Sequence, residues 1–188
     1  MEVLEFGDRS KRKIILIHGF QSPYQVWDKY IKHYENEFHI IVPILPGHNP
    51  KQIEDFNSFE KVAGELEDYY IPKYGKEVYA IYGMSMGGVL IATLWKRNKL
   101  CIHKLIFDGS PIVSINGFMK NMMTGFYLNI THKTQRRDKK ILEQAKKSAK
   151  YLAKHYSNVK VKCFKGRGHC ELALLYPEMM IEELEKVL

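Results

Sequence analysis

Cysteine is scarce in this chain: three residues in 188, at Cys101, Cys163 and Cys170. An odd number without a repeated spacing excludes a disulfide framework and suits a reducing compartment. Long apolar runs are missing as well, and no uninterrupted stretch approaches the length of a membrane span. Residues 1–10 carry Glu2, Glu5 and Asp8 and lack the apolar centre of a secretory signal. These shortages point to a cytoplasmic setting with no membrane partner. Acidic residues are also few beside the basic ones, 21 against 29, for a net charge of +8.

That charge is uneven. Residues 133–167 hold 13 Lys and Arg against two acids, Asp138 and Glu143. Such a block raises nucleic-acid binding as a possibility. However, Ile141, Ala145, Ala149, Leu152 and Tyr156 recur at helical spacing, with lysines on the opposite side. That is the pattern of a solvated surface helix, so no nucleic-acid partner is expected.

What is present is organised around residues 76–92. A run rich in Val, Ile and Tyr reads as a buried strand and stops at Gly83. From Met86 the apolar residues continue at helical spacing through Val89, Leu90 and Trp95. Between them lies Gly83-Met84-Ser85-Met86-Gly87, a Gly-x-Ser-x-Gly turn from strand to helix. So sharp a turn lifts the Ser85 hydroxyl clear of the sheet. Gly83 and Gly87 remove the β-carbons that would collide as strand and helix pass. The helix then aims free N–H groups at whatever Ser85 attacks, which favours a developing negative charge.

In chain order, residues 3–6 suit a short edge strand. Residues 13–18 form a continuous apolar strand of the kind buried on both faces of a parallel sheet. A helix over about 23–37, a strand at 39–44 and a helix over about 58–70 lead to the central turn. Another strand is expected at 103–108, a last one at 159–164, and an amphipathic helix over 177–188. Strands and helices alternate, so the fold class is α/β with a largely parallel sheet and flanking helices. The length fits a single domain over residues 1–188.

The chain resembles the α/β-hydrolases. Four motifs carry the resemblance: Ile17-His18-Gly19-Phe20, Leu45-Pro46-Gly47-His48, Gly83-Met84-Ser85-Met86-Gly87-Gly88 and Gly166-Arg167-Gly168-His169. They stand in the family's order and cover about 13–110 and 139 to the end. The resemblance implies Ser85 as nucleophile and His169 as the general base that takes its proton. It implies the backbone N–H groups of Phe20 and Met86 as the oxyanion hole, with neither metal nor cofactor. His18 and His48 read as supporting residues of their loops, and Cys170 as a packed neighbour of His169.

The departure lies between Ser110 and Lys139, a shortened cap or connection over 111–138. The family fits a cap, a further strand and the acid that orients the histidine there. Phe118, Met122, Phe126 and Ile130 recur at helical spacing, so 116–131 reads as a helix and the penultimate strand as missing. A strand at 126–131 is the alternative. The acid stays open: Asp138, with the right chain order and a place near a helix N-terminus, Asp108 at the end of its strand, or none. Removing a strand predicts either an inward shift of the final strand, which carries the His169 loop out of reach of Ser85, or an open edge that a second copy fills as a homodimer.

Two functions follow. The first is a serine hydrolase acting on a small-molecule acyl ester or thioester through an acyl-enzyme. The second is a non-catalytic, hydrolase-like binding protein with an incomplete triad. Without a full cap, an open groove bordered by Phe20, Met86 and the Met-rich segment predicts broad acceptance of short acyl groups.

Overall fold

The apolar runs rich in Val and Ile become strands, and their alternation sorts the core into two halves. A computed structural model describes residues 1–112 and 134–188, without the side chains of 134–142. The expected helix at 116–131 and its strand alternative therefore lie outside the described residues.

The elements in order are β1 (Glu2–Phe6), β2 (Lys13–Ile17), a 3₁₀ turn (Tyr24–Trp27), α1 (Asp28–Tyr34), β3 (His39–Ile44) and α2 (Phe59–Tyr74). They continue with β4 (Glu77–Met84), α3 (Met86–Arg97), β5 (Cys101–Asp108), α4 (Thr134–His155), α5 (Glu171–Leu175) and α6 (Pro177–Glu185). The strands lie side by side as β1-β3-β2-β4-β5. Only β1 runs antiparallel, pairing Leu4 with Val42 of β3; the other neighbours are parallel.

Because side chains on a strand alternate, Ile14 and Leu16 pack with Trp27, Tyr30 and Tyr34 of the 3₁₀ turn and α1 and with Ile181 of α6. Ile15 and Ile17 pack on the other face with Val62 and Leu66 of α2 and Leu90 and Leu94 of α3. Helix α2 starts at Ser58, whose hydroxyl accepts the Lys61 N–H at 3.1 Å. That satisfies one of the donors a helix start leaves open. Arg97 of α3 grips the fully buried Glu67 of α2 from two nitrogens, at 2.8 and 2.9 Å, locking the two helices together.

Helix α4 matches its expected character. Ala145, Ala149 and Leu152 are half-buried, while Lys146, Lys147 and Lys150 face solvent. Tyr156, just past its end, packs edge-on against Trp95 of α3 at 5.4 Å. No helix among the described residues is long and apolar enough to cross a membrane.

The expected final strand does not form. Residues 159–164 carry no strand pairing, and Lys160, Val161, Lys162 and Cys163 are exposed. Among the described residues β5 has β4 as its sole neighbour, and no strand follows it. The physical reason is solvation. A segment lying in water satisfies its backbone groups there and so avoids the cost of about 1–3 kcal/mol for each buried unpaired group. The inward shift is therefore absent too.

Candidate active site

The turn at Ser85 has the geometry the motif requires. Its φ is 52° and ψ −111°, a conformation that non-glycine residues seldom adopt and that marks stored strain. Strand and helix cross so closely that a Cβ on Gly83 would stand 2.6 Å from the Gly87 carbonyl carbon. A Cβ on Gly87 would stand 2.3 Å from the Ile17 oxygen. Neither position tolerates a side chain without moving backbone.

His169 reaches the serine. Its Nε2 lies 2.9 Å from Ser85 Oγ, across 84 residues of sequence. The loop that carries it is held at several points. Glu171 Oε2 accepts the Gly168 N–H at 2.7 Å, and its other oxygen meets Arg167 at 3.3 Å. These donors hold the Glu171 carboxyl below its ordinary pKa, the Gly168 amide most strongly. Cys170 sits in the left-handed region at φ 53°, with its thiol 3.6 Å from the Asp108 carbonyl oxygen. Burial pushes that thiol's pKa well up, and its Sγ packs 3.6 Å from His169 Nε2.

The Asp108 carbonyl is the anchor of the site. It accepts the Ser85 N–H at 2.8 Å and lies 3.2 Å from the Ser110 hydroxyl, besides receiving Cys170. The Ser85 turn and the His169 loop thus hang from one backbone oxygen at the end of β5. The Asp108 side chain turns elsewhere. Its Oδ2 accepts the hydroxyl of buried Tyr82 at 3.1 Å, and burial raises its pKa to about 6. Among the described residues it is bonded by Tyr82 and not by His169. Asp138 lies in the second turn of α4, and its side chain is outside the described residues.

The loop after β2 closes over the serine. A Cβ on Gly19 would lie 3.4 Å from Ser85 Cβ, and Phe20 follows it directly. Met86 is the first residue of α3, where a helix has N–H groups without intrahelical partners. His18 and His48, read from sequence as supporting residues, fasten this loop to the one after β3.

Sequence reasoning missed Gly109. A Cβ there would stand 2.9 Å from His169 Nδ1 and Cε1, so the imidazole rests on bare backbone at φ 59°. The signal was the Asp-Gly pair closing a strand, which reads equally well as an ordinary turn. Ser110 was missed too: it is buried, and a Cβ on Gly88 would collide with its Oγ at 1.8 Å.

A mostly parallel sheet with a serine turn after β4 and a histidine loop meeting it at the carboxyl edge defines the α/β-hydrolase fold. Solved structures agree. An α/β-hydrolase family protein from Desulfitobacterium hafniense superposes over 99% of both chains with a TM-score of 0.76 at 17% identity. A structure from a study of carboxylesterases of Nitrososphaera gargenis matches 99% of this chain and 93% of its own, TM-score 0.70, at 12% identity. MenH from S. aureus matches 57% of this chain, which spans only 42% of that protein, TM-score 0.51, at 20% identity. At these identities the likeness is one of fold. No family model matches the sequence, and no curated protein matches it significantly.

Proposed function

We propose that this protein is a serine hydrolase that cleaves small carboxylic esters or thioesters through an acyl-enzyme. The observation that carries the reading is the 2.9 Å contact between Ser85 Oγ and His169 Nε2 on a strained turn. In the first step His169 takes the Ser85 proton while the oxygen attacks the substrate carbonyl. The N–H groups of Phe20 and Met86 receive the oxyanion, fixed before the charge appears. His169 then protonates the departing alcohol or thiol. Water, deprotonated by the same imidazole, releases the acid and restores Ser85.

Asp138 is assigned as the acid that orients His169, since the Asp108 carboxyl is occupied by Tyr82. The competing reading, a binding protein with an idle serine, is disfavoured by the Ser85–His169 hydrogen bond. A fluorophosphonate probe and a series of p-nitrophenyl esters test the proposal. Wild type should label and hydrolyse short acyl chains, and Ser85→Ala should do neither, with a loss of about 10⁴–10⁶-fold in kcat. Activity surviving in a folded Ser85→Ala variant, or an unlabelled wild type, refutes it.

A further inference from the structure

Three side chains with metal-binding chemistry meet at the end of β4 remote from Ser85. Glu77 opens β4, Cys101 opens β5, and the two pair directly in the parallel ladder. His103 stands two residues along β5. One carboxylate oxygen, one Sγ and one imidazole nitrogen all lie within 4.8 Å of one another. His103 Nε2 is 2.7 Å from Glu77 Oε2. All three residues are exposed, so solvent ions reach them freely.

The arrangement does not suit nucleophilic catalysis. An activated thiol needs the imidazole free to take its proton, and here His103 Nε2 is engaged by Glu77 Oε2 at 2.7 Å. A bare His–Glu ion pair leaves the converging thiol without a role. The donor set decides the matter. Hard cations such as Ca²⁺ and Mg²⁺ take oxygen ligands, whereas thiolate, imidazole and carboxylate together are zinc ligands at about 2.0–2.3 Å. A tetrahedron with those bond lengths puts its ligand atoms about 3.3–3.7 Å apart. The present spacings, from 2.7 Å between His103 and Glu77 to at most 4.8 Å among the three, bracket that value, and the strand ladder fixes the backbone beneath them.

We propose that Glu77, Cys101 and His103 form a surface site for a zinc-class divalent cation, with water in the fourth position. As the S–metal bond forms, Cys101 releases its proton to solvent and His103 binds as neutral imidazole. The cation clamps β5 to β4, the two strands whose far ends carry Asp108 and Ser85. The site lies about 25 Å from Ser85, at roughly 3.3 Å per strand residue. It is thus a stabilising site, separate from the proposed hydrolytic chemistry.

Cobalt titration of the whole 188-residue chain, reduced and chelator-treated, tests this. Wild type should develop a thiolate-to-cobalt charge-transfer band with tetrahedral ligand-field absorption, saturating at one equivalent and lost on adding zinc. Cys101→Ser should abolish the band, His103→Ala and Glu77→Gln should each weaken binding by at least about tenfold, and Cys163→Ser should leave it intact. Zinc should raise the Tm of wild type and not of Cys101→Ser. Far-ultraviolet circular dichroism establishes that each variant is folded. A band that survives Cys101→Ser, one that disappears with Cys163→Ser, or no band in wild type overturns the proposal.

Discussion

His18 and His48 tie the same two loops together in opposite directions. His18, on the loop after β2, accepts the Leu45 N–H at 3.1 Å through Nε2. His48, on the loop after β3, accepts the Gln21 N–H at 3.0 Å through its own Nε2. Each Nδ1 then carries the proton and donates to a carbonyl of its own loop, His18 to Gly19 at 2.9 Å and His48 to Pro46 at 3.1 Å. Both imidazoles therefore act as neutral bridges, and their rings lie 4.9 Å apart. The Gly19–Phe20 backbone beside Ser85 is positioned by this crossing.

Protonating His18 destroys its bridge, because a charged imidazole cannot accept from Leu45. Burial lowers its pKa from the usual 6.5 to about 4. Between those values the unfolded chain binds a proton that the folded chain refuses. Stability therefore rises with pH across this window, and His18 takes away about 3 kcal/mol as pH falls through it. His18→Asn should make the change of stability with pH less positive by about that amount between pH 4 and 6.5, as read by denaturant unfolding, with the opposite contribution of Asp108 left in place. An unchanged slope would mean His18 is not the group responsible. Loosening the loop should also lower kcat for ester hydrolysis while the fold persists.

Gly109 should behave as a positioning residue without touching substrate. Alanine there faces a φ of 59° and a Cβ placed 2.9 Å from the His169 ring. The ring must move, and displacement by an ångström costs about 100-fold in rate. Gly109→Ala should thus lower kcat by about 10–100-fold, leave KM nearly unchanged, and destabilise by about 1–3 kcal/mol for the strained backbone. Steady-state kinetics with thermal unfolding checks it. A large KM effect with normal kcat would place Gly109 in substrate binding instead.

Much of this arrangement was legible in the residues, for physical reasons that also mark where reading stops. The β2, β3 and β4 runs are apolar on both sides, which only a parallel sheet between helix layers satisfies, and the glycine pattern around Ser85 has few other uses. The loops were readable because Gly166–Gly168 and His18-Gly19 keep chemistry and chain direction in one short string. The stretch 159–164 misled because alternating Val and Lys is a strand pattern only where a partner edge exists, and pairing is a property of the whole sheet. The Asp108 carbonyl anchor was invisible for a similar reason: a backbone oxygen leaves no trace in sequence. So was the Tyr82 bond that turns the Asp108 side chain away from His169.

That bond leads to a paired prediction on the acid. Asp108 has its pKa raised to about 6, chiefly by burial, with Tyr82 as the partial offset. At neutral pH it is charged in the fold at a cost of up to about 3 kcal/mol. The sign is opposite to that of His18: from about pH 4 to 6 the folded chain holds a proton the unfolded chain has lost, so this group erodes stability as pH rises. Asp108→Asn keeps an oxygen for Tyr82 and removes the charge. It should stabilise the protein at pH 7, leave stability near pH 3.5 almost unchanged, and retain most hydrolysis. Asp138→Asn should instead lower kcat by about 10⁴-fold, the loss seen when a triad acid no longer fixes the histidine tautomer, with little effect on stability. The reverse pattern, an inactive Asp108→Asn and an active Asp138→Asn, would move the orienting role to the end of β5 and require Asp108 to leave Tyr82 during turnover.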